Sequence, residues 1–403
     1  MLLPCDLREW VAADDLVHFV LEAVNEVDLR GAVSERGTGS EQYPPRMMLG
    51  LLIHSYATGV FSSRKIERLT HQDVSVRYLC ANTHPDHDTI ARFRARYREL
   101  FQRSFVAVLQ LARELKLVHL GTVHLDGTKI LADAAKRATL TAGQIEAQLE
   151  LADRALCEGL LAQAEAADAA DEDRAFHLPR ELAEAAQRKA KLAAAREVLR
   201  ARAASTRDPA KATLNLTDAD SRLMPSPKGG FIQGYNAQLA VEAHGLIVGQ
   251  TVSQATNDMT DLANTARTIV APAGEIACLV VDQGYDNQTE ITATEEALNV
   301  NVVCEPTVNP RPPAARRTHA RAHRAGLRLA RARFTHSLAG RRLLHERQTT
   351  IEPVIGSIKH NLRFRRFQMR GLDKVRAEWT LLTTAYNCRQ LWRQTCRRAH
   401  SRW

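Results

Sequence analysis

No apolar run in the 403 residues reaches the roughly 18 that a membrane helix needs, so no membrane partner is expected. The seven cysteines (Cys5, Cys80, Cys157, Cys278, Cys304, Cys388, Cys396) nowhere form Cys-x-x-Cys. That argues against a zinc ribbon and a disulfide framework, and suits a reducing cytoplasm. Met1–Trp10 carries Asp6 and Glu9 and no cleavable apolar stretch, so no signal peptide is expected. Acidic residues become scarce toward the end. Residues 311–403 hold 23 Lys and Arg against 4 Asp and Glu, whereas the 310 residues before them hold 32 against 42. A basic segment joined to an acidic remainder is an electrostatic footprint for a polyanion. Charge alone does not separate a specific nucleic-acid site from a solvated tail that binds nonspecifically. The length implies two or three domains, and the ordinary apolar fraction of 45% a globular chain.

Residues 1–118 read as helices. Leu16, Phe19, Val20, Ala23 and Val27 recur at helical spacing across Asp14–Val27. Pro44-Pro45 opens a helix over 46–58, and Ser62-Ser63 caps one over 64–71. Pro85-Asp86-His87-Asp88 begins a long helix to about Lys116, on which Arg92, Arg94, Arg96 and Arg98 alternate. That helix is either a DNA-groove reader or a scaffold with a polar face. From 119 the pattern changes: Gly121–Ile130 is β-rich, with Asp126-Gly127 read as its end. Residues 140–205 are rich in Ala, Glu, Gln and Arg, with leucine stripes that predict an inserted helical hairpin. A β-hairpin follows over 234–252, then helix, strand ending at Asp282, helix, strand, a basic loop over 311–335, and closing helices. This order predicts an α/β mixed sheet with helices on both faces.

Three carboxylates stand out. Asp126 and Asp282 each follow a short apolar run, and strand ends in an open α/β sheet converge on one crevice. Glu352 lies in Arg347–Lys359, where Glu352 and Lys359, seven residues apart, share one helical face that Arg363 extends. Pro353 forces a choice: the helix starts at a Thr350 cap, or it starts near Gly340 and carries the proline inside. Clustered carboxylates repel and raise one another's pKa, so the trio is expected to hold two divalent cations. All-oxygen ligands favour Mg²⁺ or Mn²⁺ over Zn²⁺. His84 and His87 have ligand spacing without partners, and Trp379, Tyr386 and Trp392 are expected in the core. Asp258 and Asp286 are expected in turn and cap roles, with support of the metal-holding carboxylates as the alternative.

Several ordered blocks carry a family resemblance. They are Tyr43–Leu49, Ser62–Glu67, Pro85–Arg94, Leu125–Lys129, Gly234–Gln238, Val281–Tyr285, Arg347–Lys359 and Phe364–Leu372. With these the chain resembles the DDE transposases of bacterial insertion sequences. The resemblance implies a helical DNA-binding domain over 1–118. It implies a ribonuclease-H-like catalytic domain over 119–403, interrupted by the 140–205 insertion. It assigns Asp126, Asp282 and Glu352 as the catalytic, metal-holding triad. It assigns DNA contact to Lys359 and, approximately, Arg347, with His345 standing where the family signature has tyrosine. Arg363, Arg365, Arg366 and Arg370 would hold phosphates. The implied partners are the element's terminal inverted repeats and target DNA, held by a homodimer on DNA, in the cytoplasm at the nucleoid, with no small-molecule substrate. An inactive DNA-binding derivative and a nuclease that cuts without joining are the alternatives.

Overall fold

Aspartates start many of the helices. In a computed structural model, which describes residues 6–32, 42–170, 180–204, 211–226, 229–270, 274–306 and 329–400, Asp15 caps α1 (Leu16–Asn25) by accepting from the Val17 N–H at 2.8 Å. Then come α2 (Pro45–Ala57), with its proline at the first turn, and α3 (Ser63–Gln72). Asp73 caps α4 (Val74–Leu79), and Asp86 caps α5 (His87–Arg96). The expected helix to Lys116 breaks at Tyr97 (φ −98°, ψ 49°) and resumes as α6 (Arg98–Glu114). Periodicity hid the break because Phe93, Leu100, Phe101, Phe105 and Val108, all buried, stay in helical phase across it.

Strand β1 (Thr122–Leu131) follows, then β2 (Thr139–Thr141), α7 (Ala142–Ala170), α8 (Arg180–Ala204), β3 (Thr213–Asn215) and β4 (Arg222–Pro225). The chain continues as β5 (Phe231–Glu242), β6 (Ile247–Ser253), α9 (Leu262–Ala266), β7 (Cys278–Val281), α10 (Gln288–Leu298) and β8 (Asn301–Cys304). Helix α11 covers 329–336, α12 Leu338–Gly356 and α13 Leu372–His400. The basic loop expected over 311–335 lies outside the described residues up to 328. From 329 it is helix instead, with Ala332 and Thr335 buried and Arg331 paired with Glu295.

Contacts divide the chain into two units, Met1–Ile130 with Tyr235–Trp403, and Leu131–Gly234. The first 118 residues therefore share a unit with the sheet, and the insertion expected over 140–205 lies within the second unit. In the insertion unit, α7 and α8 pack on each other as the expected hairpin. Their core is Leu140, Ile145, Leu149, Leu192, Ala195, Leu199 and Leu214. Short strands complete this unit: β2 pairs antiparallel with β3, and β4 with the opening residues of β5.

In the larger unit the sheet order is β6-β5-β1-β7-β8. β5 and β6 form the antiparallel hairpin, turned at Gly245 with φ +83°. β1, β7 and β8 run parallel, linked by α10 between the last two. The mixed sheet with helical flanks is the ribonuclease-H-like arrangement expected from the resemblance. No helix among the described residues is long and apolar enough to cross a membrane.

Helix α13 packs on α1, α2, α6 and β6, which ties the N-terminal helices to the sheet. Trp379 and Tyr386 are buried in it, as expected. A charged network sits at the junction. The fully buried Glu378 accepts from the Tyr56 hydroxyl at 2.8 Å and from the Gln368 and Met369 N–H groups at 2.9 and 3.0 Å. Arg94, 6% exposed, donates to the Tyr56 hydroxyl at 2.9 Å and to the Phe61 carbonyl at 2.8 Å. Arg94 is therefore a structural cation and not a groove-reading one. Breaking such a buried charge arrangement on one side costs about 3–5 kcal/mol. Glu378→Ala is expected to lower unfolding free energy by that amount in urea titrations, and an unchanged midpoint would contradict this role.

Candidate active site

The parallel pairing of β1 and β7 sets Thr122 opposite Cys278, Val123 opposite Leu279 and His124 opposite Val280. Continued two residues, that register brings Asp126 level with Asp282. Neighbouring strands lie about 4.8 Å apart, and alternate residues share a face. Asp282 follows β7 directly and caps a tight turn, Gln283–Tyr285, by accepting from the Gly284 N–H at 2.9 Å. Asp126 differs from expectation. It does not end its strand, which runs on to Leu131. Gly127 is there for close approach and not for a turn. A Cβ on it would fall 2.2 Å from Asp258 Oδ1 and 2.4 Å from Gln238 Nε2.

Burial, then the neighbouring Asp282 charge, push the Asp126 carboxyl up to about 6, against the pull of Arg347. Burial also raises Asp282, with Arg347 opposing and the Asp258 charge adding. Arg347 is the direct counter-ion: its Nη1 lies 2.9 Å from Asp126 Oδ2, with the two side chains 9% and 17% exposed. Lys359 is half-buried, and burial lowers its pKa while the Asp126 charge holds it up. Burial takes His124, behind the acids on β1, down to about 4, so its ring is neutral near pH 7. Two oxygen donors under electrostatic strain, with cations already drawn to them, fit a divalent cation by charge and hardness.

Helix α12 begins at a Ser337 cap, whose hydroxyl accepts from the Gly340 N–H at 3.1 Å. The Thr350 start is thereby ruled out, and Pro353 lies inside the helix. Arg347, Ile351, Val354 and Ile358 form its buried stripe. Glu352 and Lys359 each follow a stripe residue by one position, about 100° round, and Glu352 is exposed. Past Gly356 the backbone widens into a π-helical turn, Ser357–Asn361. Arg363 does not extend the helical face, because it has φ +62° beyond the helix end. Among the described residues no three His, Cys, Asp or Glu side chains gather closely enough to hold a metal. The structure thus brings Asp126 and Asp282 together with Arg347 and Lys359, and leaves Glu352 on the exposed side of α12.

The remaining basic candidates share a surface logic. Arg363, Arg365, Arg366 and Arg370 are exposed, interleaved with buried Leu362, Phe364, Phe367 and Met369. Phe364 and Phe367 pack edge-to-face, and both meet the Trp379 ring. The aromatics anchor the segment and the arginines face water. His345 is exposed on α12. His87 pairs with Glu67 at 2.8 Å, and His84 stacks on His71 and approaches the Thr70 hydroxyl at 3.3 Å, in keeping with a local structural role.

The residue that sequence reasoning undervalued is Asp258. Its Oδ1 accepts from Asn236 Nδ2 at 2.8 Å and Gln238 Nε2 at 2.6 Å. Asp261, one turn on, is buried, accepts from the Ser253 hydroxyl at 2.6 Å, and is pushed up to about 6 chiefly by burial. The Asn236–Gln238 spacing on one strand face was the available signal.

Asp126 and Asp261 hold protons in the folded chain up to about pH 6, whereas unfolded carboxyls release them near pH 4. The folded state thus binds more protons in that window, so stability falls as pH rises from about 4 to 6. Asp261→Asn is expected to remove a fall on the order of 1–3 kcal/mol, seen as a flatter slope in urea unfolding against pH without divalent cations.

Two family models match the chain. A transposase domain of the group described as DUF772 covers residues 5–96, and the transposase DDE domain covers 211–388. No curated protein and no solved structure matches. The second span contains Asp282, Arg347, Glu352 and Lys359. Asp126 falls between the spans, so its place in the site rests on the strand register. Two transposase domains, in order and together spanning about two thirds of the sequence, lie on the helices and on the sheet that carries the paired aspartates, and by them the chain belongs to the DDE transposases of insertion sequences.

Proposed function

We propose that this transposase cuts DNA at the ends of its element and joins the freed 3′-OH to target DNA, using one site for both steps. The observation that carries the reading is the strand register that sets Asp126 beside Asp282. The family typically uses divalent metal ions. Asp126, Asp282 and Glu352 would hold two Mg²⁺ or Mn²⁺, with Glu352 approaching from α12 when DNA is bound. Such ions supply activation of the attacking oxygen and stabilisation of the leaving one.

The chain's own residues do the rest. Arg347 neutralises Asp126 and keeps the buried acid in place. Lys359, near enough to Asp126 to feel its charge, offers a point charge to the phosphate being cut. Arg363, Arg365, Arg366 and Arg370 grip the backbone on either side, and His345 offers a ring nitrogen to the same strand. No protein nucleophile is required, so no covalent protein–DNA intermediate forms. Two element ends must meet, which calls for two copies of the chain on DNA. The protein would act in the cytoplasm, at the nucleoid.

Asp126→Asn, Asp282→Asn and Glu352→Gln should each reduce cleavage of terminal-repeat DNA in Mn²⁺ by at least ~10²-fold, the scale lost when one preorganised charge-stabilising group is removed. Binding in gel-shift assays should persist. Cleavage at the parent rate in any of them would remove that residue from the triad, and pre-cut ends that fail to join would favour a nuclease. Arg366→Ala is expected to lower the slope of log affinity against log salt by about 0.9, the share of one phosphate contact; an unchanged slope would place Arg366 off the DNA.

A further inference from the structure

One carboxylate lies against both Gly127, mid-strand beside Asp126, and the turn that follows Asp282. Asp258 comes from the connection between β6 and α9, and its two oxygens do different work. Oδ1 is fixed by the amides of Asn236 and Gln238 and stands where a side chain on Gly127 would be, 2.2 Å from an added Cβ. Oδ2 lies 3.5 Å from the Cβ position of Gly284, two residues after Asp282. Gln238, itself buried, completes the link: its Oε1 accepts from the Tyr285 hydroxyl on the Asp282 turn. Its backbone carbonyl accepts from Trp379 Nε1 at 3.1 Å, which ties the strand to α13. A continuous set of contacts therefore runs from Gly127 through Asp258 and Gln238 to Tyr285.

We infer that Asp258 is a positioning residue that sets the separation of Asp126 and Asp282 by bracing Gly127 directly and the Asp282 turn through Gln238 and Tyr285. The inference rests on the metal-holding role given to the two aspartates above. The bracing is local and geometric. Residue 127 can approach Asp258 only as glycine. Gln238 donates from its amide nitrogen to Asp258 Oδ1 at 2.6 Å and to Asp261 Oδ2 at 3.4 Å, and its amide oxygen accepts from Tyr285, so its orientation is determined from both ends. Groups that orient metal-holding carboxylates in this way are worth about 10–100-fold in metal affinity when removed.

The test is Mn²⁺ binding to the full chain, followed by electron paramagnetic resonance of free Mn²⁺, alongside thermal melting. Asp258→Ala should weaken Mn²⁺ binding by about 10–100-fold. Asp258→Asn, whose amide oxygen accepts the same two hydrogen bonds, should stay within about threefold of the parent. Tyr285→Phe, which cuts the far end of the link and keeps the ring packed, should weaken binding in the same direction as Asp258→Ala and serves if the alanine variant does not fold. Excess Mn²⁺ should restore cleavage to Asp258→Ala but not to Asp126→Asn. Equal losses in the asparagine and alanine variants would make Asp258 a ligand by charge and overturn positioning. Parent-like binding in both Asp258→Ala and Tyr285→Phe would overturn it as well. Asp126→Asn separates the two levels: if it binds Mn²⁺ like the parent, the metal site itself is wrong, whereas if it alone loses Mn²⁺, only the bracing role fails.

Discussion

Asp126 and Asp282, set level by the parallel register of β1 and β7, carry like charges that repel each other, and Arg347 stands against that repulsion. Burial strengthens it, since charge is poorly screened away from water. Asp126 and Asp282 both hold protons more tightly than ordinary carboxyls do. Arg347 reaches Asp126 from a buried stripe of α12, and Lys359 follows in the π-helical turn beyond it. The site is an acid pair with its own cations in attendance, an arrangement suited to exchanging them for a metal and a phosphate.

The larger unit also holds two buried polar networks of unlike purpose. The Arg94–Tyr56–Glu378 network lies where α13 meets the N-terminal helices, and every charge in it has a partner. It joins the helical start of the chain to the segment that presents Phe364 and Phe367. The Asn236–Gln238–Asp258 network lies against the aspartates and spans β5 to the turn at Tyr285. Buried groups of this kind are costly unless satisfied; main-chain or amide donors satisfy the carboxylates of both sets, while Arg94 Nε is left without a partner.

The exposed basic surface over 362–370 is organised differently. Exposed arginines alternate with aromatic anchors over 362–370, so the cations keep their solvation and the backbone keeps its shape. Charge on such a surface is screened by salt, whereas Asp126 and Asp282 are held by burial and by strand register. Arg347 belongs with the second group, for all that it sits in a basic stretch.

Much of this was legible in the residues alone. Hydrophobic periodicity marked the helices, the hairpin expected over 140–205 and the strands around Asp126 and Asp282, because local burial patterns need only local spacing. The ordered blocks pointed to the transposase family. The partnership of Asp126 with Asp282 was an inference from strand ends, and the register made it specific. Tertiary structure decided what spacing does not encode. Tyr97 breaks an in-phase helix, Gly127 sits mid-strand under Asp258, Arg363 turns left-handed beyond its helix, and Arg94 and Arg347 are buried cations. For three of these the deciding neighbour is distant along the chain: Glu378 for Arg94's network, Asp126 for Arg347, Asp258 for Gly127. A residue's charge and size are written in the sequence; which opposite charge or empty space it meets is settled only when the strands and helices pack.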